Sequence, residues 1–208
     1  MKKIMFSDKY GLTQAVIEGY KTKTRRILNL SEADEEYLNQ AFDWDLRESV
    51  ILDRYAKYKV GEVVAVAQPY CATNVTTPTQ EEILNGESFH WFSTSEPAWT
   101  NKMFVKADRM PYRIRITDRK VCRLQDITWE DCLREGIIDE TTPVIYLTGN
   151  HMYTYKGIEE GAWFGKRRGF LTPVLAFESL IDKINGNGTW DRNPWSIAYS
   201  FQIERRPQ

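Results

Sequence analysis

Trp195-Ser196-Ile197-Ala198-Tyr199-Ser200-Phe201-Gln202-Ile203-Glu204 carries the clearest structural pattern in the chain. Ile197, Tyr199, Phe201 and Ile203 alternate with Ser196, Ala198, Ser200 and Gln202. A period of two places the first set on one side of a pleated strand, and β-branched and aromatic residues suit that side. Tyr112 to Leu124 repeats the pattern, with Arg113 and Arg115 alternating with Ile114 and Ile116, so one face meets a core and the other is basic. Val60 to Gln68 reads as a strand covered on both faces, because Val63, Val64, Ala65, Val66 and Ala67 form a continuous apolar run before Pro69. A further strand is expected at Phe104 to Ala107.

Helices punctuate these strands. Leu12, Ala15 and Val16 recur at helical steps and Gly19 follows where a left-handed end residue belongs, which predicts a short helix ending at Gly19. Lys21 to Ile27 then reads as a loop entering an edge or surface strand. Thr128 followed by Asp131 forms an N-terminal signal, Ile127 can staple onto Cys132, and Gly136 stops the helix with Glu135 in its last turn. Thr172-Pro173 opens a helix through Ile184 that turns Val174, Phe177, Leu180, Ile181 and Ile184 inward, and Gly186 and Gly188 close it. Trp190 and Trp195 flank the turn into the last strand and read as packing residues.

The expectation is an α+β fold, mainly β, in a single domain over residues 1–208 with insertions near 31–55, 72–101 and 137–171. The first insertion, Ser31 to Asp53, suits a helical excursion at the surface, since Tyr37, Leu38, Phe42, Leu46 and Ile51 are widely spaced in a polar stretch. The second, Ala72 to Asn101, and the third, Ile137 to Leu171, read as long loops, and loops of that length are often functional. They carry aromatics, Trp91 in one and Trp163 beside Lys166, Arg167 and Arg168 in the other, each of which suits a core position better than a stacking platform.

With 208 residues, 42% hydrophobic and 27% charged, the chain can bury a core without disulfide or metal support. The basic start lacks the apolar stretch of a secretion signal, and no run approaches the roughly 18 apolar residues of a membrane span, so a cytoplasmic protein with no membrane partner is expected. Cys71, Cys122 and Cys132 lack CxxC spacing, and with His90 and His151 they offer no zinc pattern, so no metal is expected. Phosphate-loop, dinucleotide, HExxH and GxSxG patterns are absent, and no cofactor is implied.

Charge is uneven. Glu32 to Glu48 holds seven acidic residues against Arg47, whereas Lys102 to Arg123 holds eight basic residues against Asp108 and Asp118, and Lys21, Lys23, Arg25 and Arg26 crowd into six positions. Such local basic segments in a chain of net charge -1 point to a local anionic partner. The plainer alternative is that Lys21, Lys23 and Arg25 complement a helix C-terminus and solvate an edge strand.

Gly19-Tyr20-Lys21-Thr22-Lys23-Thr24-Arg25-Arg26, then Val60-Gly61-Glu62-Val63-Val64, then Leu133-Arg134-Glu135-Gly136 form a spaced set. In these elements the sequence resembles the ASCH domain, a branch of the PUA-like β-barrels. The resemblance implies a small, partly closed barrel with flanking helices, a cleft beside the K-T-x-T segment, and RNA, a nucleotide or a modified nucleoside as partner. Some members hydrolyse the acyl amide of N4-acetylcytidine with a Lys, a Thr and a Glu, which fall here on Lys21, Thr24 and Glu135, with Glu130 the competing carboxylate. In that chemistry Thr24 attacks and Lys21 acts as base, while Glu135 orients Lys21 or passes a proton to the leaving amine. Crowding by Lys23, Arg25 and Arg26 favours a neutral Lys21, and an ion pair with Glu135 opposes it. Residues three apart on a regular strand point to opposite faces, so Lys21 and Thr24 converge only across a turn or bulge. For a nucleic-acid or nucleotide ligand, Lys23, Arg25, Arg26, Arg113 and Arg115 are candidate phosphate contacts, and Tyr20, Trp91 or Trp163 candidate stacking surfaces. A protein-interaction adaptor built on the acidic segment and the long loops is the third reading.

Overall fold

The computed structural model of the chain describes residues 1–40, 43–73, 97–140, 151–157, 162–164 and 167–205. In chain order the helices and strands are β1 (Lys3–Ile4), α1 (Leu12–Ile17), β2 (Lys23–Ile27), α2 (Glu32–Asn39), α3 (Trp44–Tyr55), β3 (Val63–Val66), α4 (Pro97–Thr100), β4 (Tyr112–Arg123), α5 (Trp129–Arg134), β5 (Ile138–Asp139), β6 (Tyr153–Thr154), β7 (Ala162–Phe164), β8 (Arg167–Gly169), α6 (Pro173–Asn185), α7 (Thr189–Arg192) and β9 (Trp195–Arg205). The fold is α+β. Its main sheet has five strands in the order β1-β3-β4-β9-β2. The expected small barrel does not form among the described residues: β1 and β2 stand at opposite ends of that order, so the sheet remains open. β1, two residues long, pairs with β3 and β2 pairs with β9, so each keeps one unpaired edge among the described residues.

The chain divides into two compact units, one made of Met1–Phe6, Val63–Arg115 and Ile203–Gln208, the other of Ser7–Glu62 and Ile116–Gln202. In the first unit β3 lies parallel to β1 and antiparallel to β4, with Val64 opposite Ile114. Val64, Ala65, Val66 and Ala67 are all buried, as the unbroken apolar run requires. Ala65, Ala67, Tyr70, Ala98, Val105 and Met110 form one core cluster. The strand expected at Phe104 to Ala107 is absent. Side chains take up its backbone groups instead: Lys3 Nζ donates to the Val105 carbonyl at 2.9 Å, and the Lys106 N–H donates to the Tyr70 hydroxyl at 3.0 Å. Phe104 itself is exposed. Most of the expected loop from Ala72 to Asn101 lies outside the described residues, and its end, Pro97–Thr100, is helical.

In the second unit β2 runs antiparallel to β9, with Thr24 opposite Tyr199 and Arg25 opposite Ala198. The excursion after β2 is helical as expected, and its spaced apolar residues anchor it: Leu38, Ile51 and Leu52 are buried, and Trp44 stacks on Trp195 at 5.7 Å. Thr172 caps α6 by accepting from the Leu175 N–H at 3.2 Å. Phe177, Leu180 and Ile181 face inward, but Ile184 is 40% exposed and Val174 only half-buried, and Ala176 takes the inward position instead. The apolar stripe therefore fades at the last turn, where Gly186 ends the helix at φ +101°. The expected loop from Ile137 to Leu171 holds two small antiparallel pairs, β5 with β6 and β7 with β8. No helix among the described residues is long and apolar enough to cross a membrane.

Candidate functional site

Two glycines frame the site. Gly19, at φ +88°, turns the chain out of α1 in a conformation that an L side chain adopts only with strain. Two backbone bonds then steer the next residues: Lys21 N–H donates to the Ala15 carbonyl at 3.0 Å and Thr22 N–H to the Arg134 carbonyl at 2.9 Å. Thr128 begins α5 by accepting from the Asp131 N–H at 3.2 Å, and Gly136 at φ +102° ends it. Asp131 and Glu135, four residues apart, share one side of that helix end.

Lys21, Lys23 and Arg25 all reach that side. Lys21 Nζ donates to Glu135 Oε2 at 2.9 Å, to the Glu135 carbonyl at 2.6 Å and to the Lys23 carbonyl at 2.8 Å. Lys23 Nζ meets both Asp131 oxygens at 2.9 and 2.7 Å. Arg25 is forked between the two acids, Nη2 to Asp131 Oδ2 at 2.9 Å and Nη1 to Glu135 Oε1 at 3.1 Å, while its buried Nε finds no partner. The cross-strand neighbours on this face, Ser200 and Ala198, are small and buried, which leaves room for the long cationic stems. With Arg134 Nη1 at 3.7 Å from Asp131 Oδ1, four cationic side chains face two carboxylates, an excess of positive charge.

Burial dominates the electrostatics. Lys21 is 2% exposed, and burial lowers its pKa against the opposing pull of Glu135. Burial and not cationic crowding is the main cause, and an ammonium with three acceptors is also well solvated by protein. Burial alone would raise Asp131, but hydrogen bonds from Lys23 and Arg25 outweigh it and hold the carboxyl below its ordinary value. For Arg25 burial is outweighed by Glu135, Cys122 and Asp131, which raise its pKa. Beneath them, burial pushes the Cys132 thiol up to about 12, so it is no nucleophile at neutral pH.

The other face of β2 carries Thr24 and Arg26, opposite Tyr199 and Ile197. Thr24 is 5% exposed. Arg26 is exposed, yet protein crowds its guanidinium enough that burial lowers its pKa, with Tyr58, Glu135 and Tyr199 acting the other way. Tyr58 and Tyr199 are buried with their rings edge to face at 5.4 Å, and the Tyr199 hydroxyl accepts from the Lys57 N–H at 3.0 Å.

The structure brings Lys21 and Glu135, 114 positions apart, into direct contact, and Glu130 is exposed. Within β2, strand alternation sets Thr24 on the face opposite Lys23 and Arg25. Lys23 and Arg25 are engaged by Asp131. Arg113 and Arg115 belong to the first unit, where Arg115 pairs with Glu204 at 2.6 Å and Arg113 Nε is buried without a partner. Tyr20 is exposed. Trp91 lies outside the described residues, and of Trp163 only the backbone is described. Asp131 was missed in the sequence, although its position one helical turn before Glu135 was the available signal. Comparisons with protein-family models, with curated proteins and with solved structures find no match to this chain.

Proposed function

We propose that the chain is an ASCH-type, PUA-like module that binds a nucleotide or modified nucleoside, free or within RNA, at the β2 segment of its second unit. The observation that supports this reading best is the buried Lys21–Glu135 contact, which ties the K-T-x-T-R-R segment of an edge strand to the end of α5 and leaves an excess of positive charge there. A lone ion pair with that burial is weak evidence for stability, since desolvation offsets most of the attraction. An excess of cations over acids instead suits the recognition of an anionic or electron-rich ligand. Binding of a single-stranded RNA oligonucleotide should weaken steeply with salt if several phosphates are held, and binding of cytidine should change little. An adaptor that recognises only protein would show neither.

The second reading, an amidohydrolase acting on N4-acetylcytidine, is favoured by the burial that lowers the Lys21 pKa beside Glu135. Water would add across the amide, releasing cytidine and acetate. The test is chromatographic: cytidine formed by the unaltered protein and not by Lys21→Ala establishes the activity, and no product at high protein concentration rules it out for this substrate.

A further inference from the structure

We infer that the first unit carries its own contact surface for single-stranded nucleic acid, in which Arg113 and Lys106 meet backbone phosphates and Phe104 receives a base. The surface lies outside the β2 segment, so it goes beyond the reading above and is tested separately from it. Arg113 is its centre. Cross-strand register places Arg113 opposite Ala65 of β3, and Ala65 is fully buried in a core cluster with Tyr70 and Val105. The arginine beside it is half-buried, with Nε covered and without an acceptor. Its two terminal nitrogens are not covered and meet no protein acceptor either. The stem is thus held by packing while the fork faces water, and a guanidinium fixed in that way has little freedom left to lose when a phosphate arrives. Arg115, two residues on and on the same side of the strand, differs in being tied to Glu204 at 2.6 Å.

Two further observations give the partner its chemistry. Charge is the first. Residues 1–6, 63–115 and 203–208 hold nine Lys and Arg against six Asp and Glu, in a chain whose totals are 28 and 29. Of those acids, Asp108 and Glu204 fall among the described residues, and Glu204 already serves Arg115. Lys106 is exposed, and its ammonium has neither an ion pair nor a hydrogen bond. Its backbone is fixed, because its N–H donates to the hydroxyl of buried Tyr70 at 3.0 Å, and Val105 before it belongs to the cluster that holds Ala65. Exposed aromatic surface is the second observation. Phe104 is 60% exposed although the adjoining Val105 is buried, and Met103 on its other side is 62% exposed. An acidic peptide would satisfy the cations and leave that ring in water. A single strand of nucleic acid offers phosphates to the cations and an unpaired base to the ring, and stacking on a phenyl face needs no particular base. Such a surface supplies affinity without choosing a sequence.

Fluorescence anisotropy of the full chain with a labelled oligouridylate, repeated over a range of salt concentrations, tests the surface. Arg113→Gln and Lys106→Gln should each weaken binding and make the slope of log K against log salt shallower by about 0.7, the loss of one phosphate contact on a single strand. Phe104→Ala should weaken binding about tenfold and leave that slope unchanged, because it removes stacking and no charge. Phe104 and Lys106 are exposed, so their variants should keep the thermal midpoint, and the test stands even if Arg113→Gln fails to fold. Calorimetric binding of cytidine 5′-monophosphate should be the same in all three variants as in the unaltered protein; its loss in them would overturn a separate surface. A slope unchanged in every folded charge variant, or an affinity that Phe104→Ala leaves alone, would overturn it too. Displacement of the oligouridylate by polyglutamate as readily as by unlabelled polyuridylate would overturn it in favour of an acidic protein partner. If the oligouridylate does not bind while the monophosphate does, the surface falls and the β2 reading stands. Oligouridylate binding that the variants weaken as expected, with no binding of the monophosphate, keeps the surface and overturns the β2 reading. Silence towards both ligands overturns both.

Discussion

Lys21 shows how a charged side chain can sit in a protein interior without remaining a spectator. Its ammonium is surrounded by the Glu135 carboxylate and two carbonyls, and Glu135 is shared in turn with Arg25. Removing one member of a buried pair strands the other in a medium that solvates it poorly. Lys21→Met should therefore cost about 3 kcal/mol in urea unfolding, with Arg25 limiting the loss by still holding Glu135. A change below about 1 kcal/mol would mean that the pair behaves like an exposed one. At this scale the sequence was informative about residue type and weak about partners. Lys21 and Glu135 were legible through the motif they share, whereas Asp131 looked like an ordinary first-turn acid, because nothing in its local sequence says which strand will lie beside its helix.

Short elements carry the site, and their ends matter more than their middles. α1 and α5 have six residues each, too few to be stable alone, so their termination and packing hold them. Gly136 is the sensitive point. It adopts φ +102°, and a Cβ there would stand 3.1 Å from Leu12 Cδ2 and 3.5 Å from Lys21 Cδ. Gly136→Ala should destabilise by about 1–2 kcal/mol through the left-handed backbone, and by displacing Lys21 it should weaken ligand binding beyond what lost stability explains, which calorimetry at a temperature well below unfolding would separate. Elements with a complete local signal were legible: α1 by its periodicity and Gly19, α5 by Thr128 and Gly136, β9 by its alternation. Phe104 to Ala107 had strand-forming residues and no neighbour to pair with, since Lys3 and Tyr70 take its backbone groups, and that is a fact about distant residues.

Acid stability integrates the charge network over the whole molecule. Asp131 has a folded pKa below its ordinary value of 3.8, so its contribution is fully present above that value and is lost as pH falls through the depressed one. Thermal midpoints of the unaltered protein should thus fall steeply below about pH 4. Asp131→Asn should start lower at pH 7 and decline less over the same interval; parallel curves would show that the Lys23 and Arg25 contacts carry no such linkage. The order of strands along the chain did not foretell that the sheet would stay open, because closure requires the free edges of β1 and β2 to meet, which depends on the tertiary course of both strands. Local pattern was enough to set the helices, the long strands and the cationic segment, since periodicity, caps and glycine conformations act over a few residues. The tertiary structure alone set the open sheet, the sharing of Asp131 and Glu135 among cations from β2 and its approach, and the pairing of β2 with β9. Each of those depends on a register or a contact between segments far apart in sequence, where short-range preferences exert no influence.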